Sequence, residues 1–257
     1  MRFASLGSGS RGNATIVDVG STRLLIDCGF SIKETERRLE RLGIQPSDLN
    51  AILVTHEHGD HIRGVLPLAR KYGLTVYMTA GTHRALSFSL FSGIDLKLID
   101  SHLDFFIGDL AVTPVAVPHD AREPVQYVVR SGDNLSLGVL TDLGSITAHV
   151  VQHFEGCHGL FLECNHDAAM LANGTYPPSL KRRIAGDWGH LNNRQSLDLL
   201  QNIQTCQLQQ LVLGHISEQN NSLAAVQAMM SNLPSDLFSI HYACQNDGVD
   251  WLALSRV

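Results

Sequence analysis

Between Thr55 and His61 the sequence reads Thr-His-Glu-His-Gly-Asp-His, so His56, His58, Asp60 and His61 set four potential metal ligands within six residues. Imidazole nitrogens and carboxylate oxygens both suit divalent cations. In this order a tight loop can aim His56 and His58 one way and Asp60 and His61 another, a division that serves two ions. A lone histidine is more often a hydrogen-bonded or surface residue than a ligand; the density of ligand types after an apolar strand marks this segment. A pair of ions needs further ligands, including an anionic oxygen to bridge them. Three later residues answer from the ends of strand-like runs: His119 after 112–117, Asp142 after 135–141, and His215 after 211–214. Pro114, inside the first of those runs, points to an edge strand or a bulge.

These residues need strands to deliver them to loops. The chain opens as a meander of short strands over 1–6, 13–19 and 22–27, separated by the glycine-rich 7–12 and by Gly20-Ser21. The spacing predicts a helix over 31–42, with Ser31 as N-cap and Gly43 just beyond its end. Ala51-Ile52-Leu53-Val54 is a buried-strand run that leads directly into the histidine motif. Helices over 62–72 and 81–90 then alternate with a strand over 74–78. Strands return over 96–117, turning at Gly108-Asp109, and over 125–129 and 135–141 around Ser131-Gly132-Asp133-Asn134. Helices over 145–154, 177–184 and 193–201 are interleaved with strands over 159–163 and 210–214. This order predicts two sheets packed face to face with helices outside.

A chain of 257 residues, 44% hydrophobic and 17% charged, can bury a large core, and a single domain spanning 1–257 is expected. The first residues lack a signal-peptide apolar stretch, and no later run of about 18 apolar residues is present, so a soluble, cytoplasmic protein without membrane contact is expected. Cys28, Cys157, Cys164, Cys206 and Cys244 are odd in number and show no C-x-x-C spacing, which predicts free, buried thiols. The net charge of −6 argues against wide wrapping of nucleic acid but leaves room for a local basic step. Lys181-Arg182-Arg183 is such a step, with Tyr176 just upstream to stack on a base; a solvated helix face is the competing reading.

The segment Thr55–His61 resembles the T-H-x-H-x-D-H motif of the metallo-β-lactamase superfamily, and the resemblance extends over nearly the whole chain. It implies an α/β, four-layer αββα sandwich with the site along one edge of the two sheets. By the same resemblance Asp27 fills the first acidic position, His119 the third motif, Asp142 the bridging carboxylate and His215 the last histidine. The implied ligand sets are His56, His58, His119 and Asp142 on one divalent ion, and Asp60, His61, Asp142 and His215 on the other. With nitrogen and oxygen donors only, zinc and manganese both remain open. Cys28, beside Asp27, is read as a buried bystander. Segments such as Pro118-His119-Asp120-Ala121, Leu162-Glu163-Cys164-Asn165-His166-Asp167, Gly189-His190-Leu191-Asn192-Asn193 and Gly214-His215-Ile216-Ser217 look like the YycJ/WalJ branch, described as metal-dependent exonucleases or repair-type phosphodiesterases. Cys164 and Asn192 depart from it, standing where serine is expected, and leave the ligands untouched.

Two divalent ions lower the pKa of a water between them enough to supply hydroxide near neutral pH, and they offset charge on phosphate oxygens. Phosphodiester cleavage suits this best. Asp60 would orient the nucleophile, and Asp27 would hold a ligand histidine by its second ring nitrogen. His190, with Gly189 leaving room beside it, is the candidate proton donor to the leaving alkoxide; a loop histidine near a helix cap is the bland alternative. His166 has three readings: substrate contact, support of a ligand, or satisfying the backbone of its loop. The glycine-rich 7–12 lacks the Gly-Lys-Ser/Thr of a nucleotide-binding loop, yet its free N–H groups could meet a substrate phosphate. Ser8, Ser10 and Asn13, together with Lys181 and Arg182, complete the candidate substrate contacts. The expectation is a DNA exonuclease, with 5′ to 3′ as one direction open to it, acting as monomer or homodimer on nucleic acid, DNA ahead of RNA. A small-molecule phosphodiesterase or tRNase Z-like RNase is the alternative, and a lactam, lactone or thioester hydrolase stands behind both.

Overall fold

The opening meander forms as expected, with β1 (Arg2–Gly7), β2 (Ala14–Val19) and β3 (Thr22–Ile26) pairing antiparallel in sequence order. The computed structural model describes residues 1–231, 233 and 237–256. After the meander comes α1 (Ile32–Arg41), where the Ser31 side chain accepts from Glu34 N, and Gly43 ends the helix at φ +72. The chain then passes through β4 (Ala51–Leu53), α2 (Gly59–Ile62), α3 (Val65–Tyr72), β5 (Thr75–Thr79), α4 (Ala80–Ala85) and β6 (Leu96–Ile99). The second half begins with β7 (Phe105–Ile107), β8 (Leu110–Ala116), β9 (Val125–Ser131), β10 (Ser136–Leu140) and α5 (Ala148–Phe154). It continues with β11 (Gly159–Glu163), α6 (Ala168–Asn173), α7 (Pro178–Ile184), α8 (Asn193–Asn202), β12 (Gln210–Gly214), α9 (Leu223–Met230), β13 (Ser239–Tyr242) and β14 (Val249–Ala253).

The strands make two seven-stranded sheets, ordered β14-β1-β2-β3-β4-β5-β6 and β13-β12-β11-β10-β9-β8-β7. Between them lies a shared apolar layer in which Phe3, Leu24 and Leu53 of one sheet meet Tyr127, Val139 and Phe161 of the other. The outer face of the first sheet is covered by α1 and α3 through Leu39, Val65 and Leu68; α5, α8 and α9 cover the second through Phe154, Leu200 and Val226. The layering is therefore α/β/β/α. Among the described residues no helix is long and apolar enough to cross a membrane.

Two features position the site. Strands β3 and β4 run parallel with Ile26 opposite Leu53, and β10, β11 and β12 run parallel with Leu140, Leu162 and Leu213 in register. Their C-terminal ends therefore finish side by side, the end of a parallel sheet where loops are free to gather ligands. The two sheets are also tied together there: Tyr127 OH donates to Val54 O at 2.7 Å and Val125 N to Thr55 O at 3.0 Å.

Several elements differ from the expectation. The helix expected over 62–72 is interrupted at Gly64, whose N–H donates to Cys28 O at 2.7 Å and where a Cβ would run into Phe30 O. The helix expected over 81–90 stops at Ala85, because Phe91 folds back onto His83 with ring centroids 4.5 Å apart. The helix expected from 145 starts only at Ala148, capped by Thr147, since Gly144 is docked on Pro118 O. Pro114 pairs with Tyr127 on one side, while β7 has already ended on the other, so it occupies an edge position. Cys28, Cys157 and Cys164 are buried free thiols, whereas Cys206 and Cys244 are exposed, which corrects the expectation for those two.

Candidate metal centre

At the joined strand ends His56, His58, Asp60, His61, His119, Asp142 and His215 come together. One group, His56, His58 and His119, has ligand atoms within 4.8 Å of one another, as does a second, His56, His61 and Asp142. A third joins Asp142 and His215 with Glu163 and His190 under the same limit. Asp60 Oδ2 completes the cluster at 3.5 Å from His61 Nε2 and 3.8 Å from His215 Nε2.

Four of the five histidines share one orientation, and His58 is turned the other way, its Nδ1 lying 3.3 Å from His119 Nε2. His61 Nδ1 donates to Asp27 Oδ2 at 2.8 Å, His119 Nδ1 to Gly189 O at 3.0 Å and His215 Nδ1 to Thr141 O at 2.9 Å. His56 Nδ1 lies 2.9 Å from Thr55 Oγ1, which itself donates to Asp27 Oδ2 at 2.7 Å. With Nδ1 engaged by the protein, Nε2 is the nitrogen left for a ligand, and one buried carboxylate, Asp27, orients two of the four rings. Asp27 and His215 both hold left-handed backbone conformations, at φ +61 and φ +52, rarely adopted by residues with a side chain. They persist because neighbours clamp them: Asp27 N donates to Leu53 O, and His215 N to Ser8 Oγ.

The centre fits cations. His56 Nε2 and Asp142 Oδ2 are buried with no hydrogen-bond partner, a costly arrangement for polar atoms unless something else occupies them. Asp142 Oδ2 stands 3.1 Å from His61 Nε2 without bonding alignment, as two atoms do that face a common ion. Burial opposes charge on His61 and His215, yet the carboxylates around them outweigh it: Asp142, Asp60 and Asp27 hold His61 well above the usual histidine range, and Asp142 foremost lifts His215 to about 9. The carboxylates thus make this a place that favours positive charge. His56 and His119 go the other way, the latter down to about 4, because burial dominates there and leaves neutral, ligand-ready imidazoles. Cys28 stays outside the centre, its Sγ against Thr35 Oγ1, with burial raising the thiol to about 11.

Beside the centre stands a pair that sequence reasoning did not identify. Glu163, wholly buried at the end of β11, accepts from Leu143 N at 3.0 Å, Leu191 N at 3.1 Å and His190 Nδ1 at 2.9 Å. The rule that selected Asp142 and His215, a ligand-type residue at the end of an apolar strand, selects Glu163 equally well. His190 has no capping task, since Asn192 caps α8 in a box with Gln195. His190, Asp60, Asp142 and His215 line a cleft of about 340 Å³.

Other expected substrate contacts are redistributed. Ser8 and Asn13 are buried, Ser8 Oγ donating to Asn13 Oδ1, while Asn13 Nδ2 lies 3.1 Å from His61 Nε2; both brace the centre instead of facing the cleft. The loop's N–H groups at Gly7, Ser8, Gly9, Arg11 and Gly12 are taken by Ser5, Cys244, Asn13, Gln245 and Gly9, so they are not free for a phosphate. Ser10 does line the cleft. Lys181 Nζ donates to Ala172 O and Arg182 is exposed; neither lines the cleft, but Arg183 does. His166 is buried with Nδ1 unpartnered, and its ring makes no hydrogen bond to a histidine or aspartate of the centre among the described residues. Burial drives it down to about 4, a neutral imidazole.

Two facing mixed sheets with helices outside and a histidine–aspartate centre at the strand ends define a metallo-β-lactamase fold. Residues 22–216 match the beta-lactamase superfamily domain, and the chain belongs to that family. Within it, the chain is 38% identical over 224 residues to exodeoxyribonuclease YycJ of Bacillus anthracis, covering 86% of this chain and 84% of that one. It is 35% identical over 227 residues to exodeoxyribonuclease WalJ of Streptococcus pneumoniae serotype 2, covering 86% of this chain and 83% of the relative. Among solved structures, Zn(2+)-bound PqqB from Methylobacterium extorquens superposes with a TM-score of 0.72 over 99% of this chain and 100% of that one, at 18% identity, a likeness of fold alone.

Proposed function

We propose that this chain is a metal-dependent exodeoxyribonuclease, working as one domain with two divalent ions. His56, His58, His119 and Asp142 would hold one ion, and Asp60, His61, Asp142 and His215 the other. The observation that carries the reading is the gathering of five histidines around the buried Asp142, four of them with Nδ1 tied back by the protein, with Glu163 and His190 alongside. Such ions supply Lewis acidity, lowering the pKa of water and offsetting charge on a phosphate. Asp60, held at about 2 by His61 and His215 against the effect of burial, is an ionised acceptor facing the cleft and takes a hydrogen of the attacking water. His190, whose Nδ1 is turned to Glu163, keeps Nε2 for the substrate and gives the leaving sugar oxygen its proton. The products are a phosphomonoester and a free hydroxyl. Two relatives with the printed name exodeoxyribonuclease support DNA over RNA.

The experiment is cleavage of end-labelled single- and double-stranded DNA and RNA by protein stripped with chelator and reloaded with Mn²⁺ or Zn²⁺. Stepwise, metal-dependent shortening of DNA is expected. Shortening of RNA alone, or hydrolysis of a chromogenic lactam instead, would overturn the reading.

A second expectation concerns Asp27. Its substitution by Ala releases Thr55 Oγ1 and His61 Nδ1 together, so metal affinity should weaken by roughly 10- to 100-fold, the usual cost of losing such an orienting partner. Competition with a chromogenic chelator measures this; unchanged affinity would show that the two rings hold their positions without the carboxylate.

A further inference from the structure

One wall of the cleft is unlike the rest of the molecule. Helix α7 has no buried residue, so it is not part of the core, yet Leu180, Arg183 and Ile184 of one of its faces line the cleft, joined by Tyr176 from the turn before it. An apolar and aromatic face that is half-buried and joins none of the core clusters is suited to a flat apolar group of the substrate. Arg183 is the one Lys or Arg lining the cleft among the described residues. Its Nε donates to Asp120 Oδ2, while Asp120 Oδ1 stands 3.7 Å from His58 Nε2 and 3.6 Å from His119 Nε2. Asp120 thus ties the guanidinium to the wall of the metal centre by its Nε edge. The two Nη groups have no hydrogen-bond partner among the described residues, which leaves four N–H donors in a planar fork of the kind that grips a phosphate. Arg11, the neighbour of the cleft-lining Ser10, does not line the cleft and is engaged by Glu218 and Asn246.

We propose that α7 and Tyr176 form the nucleotide subsite next to the scissile bond, with Tyr176, Leu180 and Ile184 receiving one base and sugar and Arg183 clasping a phosphate of the same strand. This rests on the nuclease reading and deepens it. Stacking and phosphate contacts carry no base code, so the subsite takes any nucleotide of a single strand. Duplex DNA would have to part its terminal pair to lay a base on this face, because a paired and stacked base has no face free for Tyr176.

The test compares two diesters with the same leaving group, thymidine 5′-(p-nitrophenyl phosphate) and methyl p-nitrophenyl phosphate, together with fluorescence anisotropy of a labelled single-stranded oligonucleotide on Mn²⁺-loaded protein. Tyr176→Ala should reduce the kcat/KM preference for the nucleoside diester by roughly tenfold or more, the scale of one lost base–aromatic stack, and Tyr176→Phe should restore it. Arg183→Ala should weaken oligonucleotide binding while leaving KM for the two diesters, whose single phosphate is the scissile one, near that of the parent, and Arg183→Lys should recover little, because a point charge lacks the fork. Both positions lie outside the core, so neither change threatens folding. If no diester or DNA is cleaved while Tyr176→Ala and Arg183→Ala still weaken oligonucleotide binding, the subsite stands and the nuclease reading falls. If the preference and the binding are unchanged in both variants, the subsite is overturned.

Discussion

Asp142→Ala should reduce DNA hydrolysis by at least about 10³-fold, since several kcal/mol of charge stabilisation would depend on the ions that this carboxylate is proposed to hold together. This side chain reaches both halves of the centre. Asp142 Oδ1 lies 3.0 Å from His215 Nδ1, 3.5 Å from His190 Nδ1 and 4.0 Å from His119 Nε2, while Oδ2 lies 3.1 Å from His61 Nε2. It is buried, and the surrounding imidazoles hold it ionised, well below the usual carboxylate range, despite the opposing effect of burial. Removing it takes away the one carboxylate proposed to serve both ions, so metal content per chain should fall with activity. Metal analysis after dialysis, beside DNA shortening, measures both. A variant that keeps full metal content and wild-type turnover would remove Asp142 from the centre's working parts.

His190→Ala is expected to cost roughly 10²- to 10⁴-fold on DNA, the range for loss of a general acid, while leaving metal content near that of the parent. The discriminating readout is the leaving group. A sugar alkoxide needs a proton to depart, whereas p-nitrophenolate does not, so the loss on a p-nitrophenyl diester should be at least tenfold smaller than on DNA. Glu163→Gln tests the positioning residue behind it. The amide keeps the shape but turns a donor toward His190 Nδ1, which then has to accept, and the ring can no longer carry its proton favourably on both nitrogens. The same leaving-group dependence, with a smaller overall loss, is expected for Glu163→Gln. Equal losses on both substrates would assign His190 to substrate binding instead of proton transfer.

How much was legible beforehand follows from how local each signal is. The motif at 55–61 was readable because its ligands lie on one short loop and its preceding strand, Ala51–Leu53, is marked by an unbroken apolar run. Asp27, His119, Asp142 and His215 became readable as residues following strands, helped by the family resemblance. Helix α1 was legible to its cap because Ser31 and Gly43 act on their own chain neighbours. In contrast, α6, α9, β13 and β14 carry weak periodicity or sit at sheet edges with mixed exposure, and the pairing that makes β14 a strand comes from β1, at the other end of the chain.

The amino-acid sequence by itself determined the ligand types, the strand–loop order that presents them and the layered fold, because period and composition act over a few residues. Only the tertiary structure decided which side chains stand behind the ligands. Ser8 and Asn13 brace His215 and His61 because the loop at 7–12 folds inward against Cys244 and Gln245. Glu163 meets His190 across 27 residues of chain, and Arg183, not its neighbours Lys181 and Arg182, faces the cleft, where it meets Asp120 from another loop. Contacts of that kind depend on the register of parallel strands and the facing of a helix, which no short stretch of sequence encodes.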